Sequence, residues 1–398
     1  MPYYIGDVIQ DEKKLIARTP EKFRAGGIDA RLETRVSGID TAGGAVELAD
    51  GRKLPYDILV MATGTSAFVP DLPGLDLPGV VSLRNLEDAI AIKARLRDKK
   101  VRRVVIVGGG FIGLEMCESL AAANIATTII HKDPLPANRW DAALSQMMLD
   151  ELHAHGVEFV GGASARAVAE GKNAPLCVAT DQGDFEGDLV LLAIGVRPDS
   201  TLARATGLKI GASGAIAVDF SQRTSIENIY AAGDCCESFH RVSRRWVNIP
   251  LGDIANKQGR VAGRTIGGKP MLFEGIVGAQ SFRLFGLECA ATGLSEREAA
   301  AAGFSPINNI TWGSAMAPAL GLRKIGLKLT ADRSTGRLLG AQAVGVAGAV
   351  GRINALSVAL WSGLDLDAVG WLDLAYSPPF SPSWDIIHNA AQALGRLL

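Results

Sequence analysis

One short run constrains this chain more than any other: Val104-Val105-Ile106-Val107-Gly108-Gly109-Gly110-Phe111-Ile112-Gly113-Leu114-Glu115. Four apolar β-formers read as a buried strand, and Gly108-x-Gly110-x-x-Gly113 reads as the turn from that strand into a helix. Gly108 allows the tight turn, Gly110 lets the backbone approach a pyrophosphate, and Gly113 permits close packing of helix on strand. The helix start that follows the glycines offers free N–H groups and a positive dipole end to phosphates. A second strand, Ala126 to Ile130, arrives at the distance expected of a dinucleotide-binding βαβ unit.

The end of that second strand bears on which dinucleotide is held. An NAD site normally places Asp or Glu there for the ribose hydroxyls. This chain has Ile129-Ile130-His131-Lys132-Asp133. A cationic Lys132, with His131 as a donor, suits the extra phosphate of NADPH. Asp133, one residue on, leaves NADH as the alternative.

With 398 residues the chain has room for two or three domains, and 48% hydrophobic residues supply sizeable cores. Its 41 basic and 42 acidic residues balance to a formal charge of -1, which removes the general attraction that nucleic acid or an anionic membrane surface requires. No apolar run reaches membrane-spanning length, and five irregularly spaced cysteines form neither a disulfide framework nor a metal set. The expectation is a cytoplasmic protein with reduced thiols. Strand-like runs at 57–61, 104–107 and 126–130 alternate with helical ones at 86–96 and 114–123, the pattern of a parallel sheet. Asn85 followed by Glu87 and Asp88 predicts a helix start. Farther on, Lys324 to Thr330, the turn Asp332-Arg333-Ser334-Thr335-Gly336 and Gly340 to Val346 predict an antiparallel sheet, followed by a helix from Arg352 to Trp361. A domain boundary is expected near Gly267-Gly268-Lys269-Pro270.

Further motifs stand in order around the fingerprint: Met61-Ala62-Thr63-Gly64-Thr65, Ala193-Ile194-Gly195-Val196-Arg197-Pro198, Ile229-Tyr230-Ala231-Ala232-Gly233-Asp234, Pro250-Leu251-Gly252-Asp253 and Leu374-Ala375-Tyr376-Ser377-Pro378-Pro379-Phe380. Together they resemble the flavin-dependent pyridine nucleotide–disulfide oxidoreductases. The resemblance covers nearly the whole chain and points to the branch of coenzyme A-disulfide and persulfide reductases and NADH oxidases and peroxidases. It implies an α/β fold of two Rossmann-like domains, for FAD and NAD(P), the first truncated, plus a C-terminal α+β dimerisation domain. On that pattern residues 1–84 and 205–268 belong to the FAD domain, 85–204 to the NAD(P) domain and 269–398 to the dimerisation domain.

The resemblance also implies roles. Ala62, Thr63 and Gly64 form the turn that returns the chain to the flavin domain, and Gly195 closes the nicotinamide domain. Gly233 and Asp234 form the second flavin motif, in which a buried Asp234 carboxylate binds the ribityl chain. Leu251, Gly252 and Asp253 run beside the isoalloxazine. Phe111 is the aromatic gate over the flavin, with core packing as the alternative. Glu115 lines the nicotinamide–flavin contact, or is a first-turn acid suited to the helix dipole. Tyr376 reaches the partner subunit's flavin and is the candidate catalytic residue. His388 is a candidate acid against a packing role, and His153 and His155 read as surface residues.

The opening Met1-Pro2-Tyr3-Tyr4-Ile5-Gly6-Asp7 resembles the stretch directly after the family's active-site cysteine. This places the nucleophile and the first glycine fingerprint upstream of Met1, with weak FAD retention expected of the chain as written. Cys235 and Cys236 read as small buried residues, and Cys117, Cys177 and Cys289 as core. Where coenzyme A-disulfide reductases carry tyrosines, this chain reads Ala315-Met316-Ala317-Pro318. The function implied is NAD(P)H-driven, FAD-dependent reduction of a disulfide or persulfide, such as coenzyme A disulfide, by a homodimer without a metal ion. The alternatives are an NAD(P)H oxidase or peroxidase, or an NADP-binding dimer without catalysis.

Overall fold

A computed structural model describes residues 1–98 and 100–398. The chain divides into two compact units, each built from separated stretches: 1–10, 67–195 and 277–398 in one, 11–66 and 196–276 in the other.

In the larger unit a five-stranded parallel sheet runs in the order Val80–Ser82, Leu189–Leu192, Arg103–Val107, Ala126–His131, Glu158–Gly161. Its central strands are apolar without alternation because both faces are covered; Ile106, Ile129 and Val190 are fully buried. The helix Leu86–Leu96 has the predicted bounds, and its start is fixed by a capping box in which Asn85 and Asp88 each bond the other's backbone N–H. A three-stranded antiparallel sheet, Ala165–Glu170, Leu176–Thr180 and Asp184–Gly187, sets Val168, Leu176 and Val178 against Val105 and Val190 of the parallel sheet.

The same unit carries a five-stranded antiparallel sheet, ordered Gln280–Leu284, Leu287–Gly293, Leu338–Gly345, Lys324–Asp332, Pro306–Ser314. The predicted turn joins two of its strands. There the Ser334 and Thr335 hydroxyls donate to Asp332 at 2.6 and 2.8 Å, and these bonds, Ser334 foremost, hold the Asp332 carboxyl below its ordinary range. The helices Ala349–Ser362 and Ile386–Gly395 pack on this sheet. Between them lies a buried ion pair, Arg352 Nη2 to Asp385 Oδ2 at 2.6 Å, and Arg352 also donates to the carbonyls of Ala315 and Phe380.

In the smaller unit the parallel pair Leu59–Met61 and Ile229–Ala231 sits over a core that includes Ile216, Val218, Cys235 and Cys236. An antiparallel sheet, Val36–Asp40, Ala45–Leu48 and Lys53–Pro55, and the helix Gly252–Ile266 complete it. Among the described residues no helix is long and apolar enough to cross a membrane, and no group of three or more His, Cys, Asp or Glu is placed to hold a metal ion.

Candidate active site

The glycine run forms a cradle at the carboxyl ends of the parallel strands. Gly108 turns at φ +114°, and a Cβ there would collide with the Ala193 carbonyl. A Cβ on Gly113 would collide with the Gly108 carbonyl, so helix and strand approach as closely as their backbones allow. At Gly110 a Cβ would meet nothing within 4 Å. Packing demands the first and last glycines, whereas the space over Gly110 is open. The 12-residue helix Phe111–Ala122 starts from Gly110 without a side-chain cap, which suits it to a pyrophosphate.

His131 ends its strand beside this cradle, but not as a simple donor. Its Nδ1 accepts the Gly109 N–H at 3.2 Å, which puts the ring proton on Nε2, 3.6 Å from Asp133 Oδ2. Burial pushes the ring's pKa down, and Lys132 adds to this while Asp133 opposes it, so the ring is neutral. Lys132 is exposed at the strand end. The Asp133 carboxylate is engaged by Asn138 Nδ2 at 2.9 Å.

Phe111 opens the helix with its ring 4.8 Å from that of Phe282, and Ile112 beside it is half-buried. Glu115 lies beyond the first helical turn, which contains no acid, so a dipole role does not describe it. With Tyr3, Glu118, Ser119 and Arg283 it lines a small cavity, and burial pushes its carboxyl pKa up. Glu118 adds to that rise. Gly195 sits at φ +109° and accepts the Phe68 N–H at 2.9 Å.

The remaining motif residues converge in the smaller unit, where two turns follow the adjacent strands Leu59–Met61 and Ile229–Ala231. Ala62 and Thr63 are exposed, Gly64 has φ +69°, and the Thr63 hydroxyl donates to the Asp199 carbonyl at 2.6 Å. Gly233, at φ +88°, donates its N–H to the buried Gln258 amide oxygen at 2.9 Å. Asp234 is partly exposed, not buried as the sequence suggested, because it stands on the rim of the strand ends. Leu251 precedes the 15-residue helix Gly252–Ile266, which has no side-chain cap, and Asp253 pairs with Lys257 at 3.0 Å. Strand ends, a carboxylate and an open helix start fit the ribityl and ring end of a flavin.

Cys235 and Cys236 are buried and carry free thiols. Contact with Cys236 holds the Cys235 pKa down to about 6 and pushes that of Cys236 up. Cys117 and Cys289 are core, as expected, while Cys177 is only partly buried. His388 is a helix cap: its Nδ1 accepts the Asp385 N–H, and its Nε2 lies 2.8 Å from the Leu372 carbonyl. Tyr376 is exposed, on a segment tied to the 315–317 stretch by the Ala317 N–H bond to the Pro378 carbonyl at 2.8 Å.

Sequence reasoning missed a polar cluster around residues 139–141. Arg139 grips Glu298 through two bonds at 2.9 and 3.1 Å, and the buried Lys328 pairs with Asp141 at 2.6 Å. Gln342 donates to the Arg139 carbonyl and accepts the Asp141 N–H. The available signal was Lys328 and Gln342, polar residues inside otherwise apolar strands.

Residues 3–259 match the family model for pyridine nucleotide-disulphide oxidoreductases, and residues 280–386 match the model for the dimerisation domain of that family. The chain is 37% identical over 396 residues to an NAD(P)H sulfur oxidoreductase (CoA-dependent) of Pyrococcus abyssi, covering 98% of this chain and 88% of the relative. It is 35% identical over 395 residues to an NAD(P)H coenzyme A polysulfide/persulfide reductase of Pyrococcus horikoshii, covering 98% and 88%. The solved NAD-dependent persulfide reductase from A. fulgidus superposes with a TM-score of 0.95 at 32% identity, covering 100% of this chain and 75% of that one. The chain therefore belongs to the pyridine nucleotide-disulphide oxidoreductase family.

Proposed function

We propose that the protein is an FAD-dependent NAD(P)H oxidoreductase that reduces a disulfide or persulfide of coenzyme A type, with NADPH as the preferred donor. The observation that carries this reading is the similarity running through 98% of the chain to a CoA-dependent NAD(P)H sulfur oxidoreductase. The open cradle over Gly110 supports it. Overall, a hydride and a proton convert a disulfide into two thiols, or a persulfide into a thiol and sulfide.

The chain's residues divide that task. Gly108, Gly110, Gly113 and the helix start hold the pyrophosphate, and Lys132 supplies a cation for a 2′-phosphate. Phe111 is the aromatic gate over the flavin. The turns at Ala62–Gly64 and Gly233–Asp234, with the helix start at Leu251–Asp253, hold the flavin, which when bound supplies a two-electron relay. Exposed Trp371, Tyr376, Phe380 and Trp384 in the C-terminal region provide apolar area for a homodimer. Five free thiols agree with a reducing, cytoplasmic setting.

Anaerobic titration of the protein, reconstituted with excess FAD, with NADPH tests the reading. Loss of the oxidised-flavin absorbance, recovered on adding coenzyme A disulfide or persulfide, is expected. Binding of NADPH without bleaching would instead identify a non-catalytic nucleotide-binding dimer.

A further inference from the structure

The segment between His131 and the helix Ala142–Ala154 frames the cradle from one side, and the structure shows what fixes it. Inside the cradle, Ala137 donates its N–H to the Gly109 carbonyl at 2.9 Å, from a backbone held at φ +55°. Two residues on, the chain is fastened to the antiparallel sheet and its adjoining helix. Arg139 makes its two bonds to Glu298 and a third to the Gly293 carbonyl at 3.0 Å. Gln342 holds the Arg139 carbonyl at 3.1 Å and the Asp141 N–H at 2.8 Å, as a neighbouring strand would. Lys328, itself buried, closes on Asp141. Trp140, between these anchors, stands edge-on to Phe282 at 6.0 Å, and Phe282 touches the Phe111 ring.

We propose that Glu298, Gln342 and Lys328 are positioning residues for the dinucleotide site. By clamping residues 139–141 they fix the segment that sets Lys132 and the cradle wall, and so determine affinity for NADPH and its selection over NADH. This rests on the dinucleotide reading of the cradle. The distinctive feature is that the anchoring bonds span 159 to 203 residues of chain, so that the C-terminal sheet and its adjoining helix govern binding in the fingerprint sheet. None of these three side chains needs to touch the ligand. Arg139 transmits the clamp through two residues of backbone to Ala137, which meets the glycine turn directly.

The experiment measures equilibrium binding of NADPH and NADH to the flavin-loaded protein by nucleotide fluorescence, with the melting temperature read alongside. Glu298→Gln keeps the shape of the side chain but removes its charge. It is expected to weaken NADPH about tenfold, a size typical of coupled sites, to lower the NADPH-to-NADH preference and to leave kcat at saturation unchanged. Arg139→Lys, which retains one of the paired bonds, should fall between wild type and Glu298→Gln. If Glu298→Gln does not fold, Gln342→Glu, which keeps the acceptor for Asp141 and loses the donor to Arg139, gives the same readout. Unchanged affinity and preference in a folded variant would overturn the proposal. Failure of the wild-type protein to bind either nucleotide would overturn the dinucleotide reading instead.

Discussion

His131 Nδ1 accepts the N–H of Gly109, the middle glycine of the fingerprint, across 3.2 Å. The bond requires a neutral imidazole, and burial provides one by pushing the ring below its usual value of 6.5. In the unfolded chain the ring protonates at that usual value, so below it the unfolded state binds more protons and stability rises with pH. The contribution is complete above about pH 6.5 and is lost progressively as the pH falls toward the folded value. The difference in melting temperature between wild type and His131→Asn should therefore shrink as the pH is lowered from about 7.5 to about 5, through the ordinary His titration near 6.5. A constant difference would show that the bond does not depend on the ring's protonation.

Gly110 and Gly113 separate ligand space from packing. Gly110→Ala meets no neighbour and keeps an ordinary backbone, so the melting temperature should hold while NADPH binding weakens by roughly 1–3 kcal/mol, the range for forced overpacking. Gly113→Ala collides with the Gly108 carbonyl and should lower stability as well. Paired melting and binding curves for the two variants check this.

Lys132→Glu should reverse the nucleotide preference. Losing a charge-assisted bond to the 2′-phosphate removes about 1.5–3 kcal/mol, which is about 10- to 100-fold in relative affinity. Competitive binding of NADPH and NADH measures it, and an unaltered ratio would mean that another group reads the ribose.

Asp385→Ala strands the buried Arg352 guanidinium and should cost about 3–5 kcal/mol. Replacing both partners with apolar residues should recover much of that, because no uncompensated charge remains. The segment 376–381 depends on the same arginine through the Phe380 carbonyl, so proteolysis there should rise in the single variant.

The sequence by itself determined whatever is encoded by neighbours a few residues apart. The strand–turn–helix at Val104–Gly113, the capping box at Asn85 and Asp88, and the Asp332 turn are local in this sense. Each follows from backbone sterics or short-range hydrogen bonds, and each stands where the residues indicated. Glu115 was misplaced by a turn because the helix starts at Phe111, a boundary that local composition defines only loosely. His131 was legible as a polar strand end, yet the direction of its hydrogen bond depended on how closely the Gly109 amide approaches. Only the tertiary structure decided that Arg139 meets Glu298, that Gln342 bridges residues 139 and 141, and that Arg352 meets Asp385. Those partners lie far apart along the chain, and a buried charge or amide gains its partner only when the sheets and helices that carry it have packed.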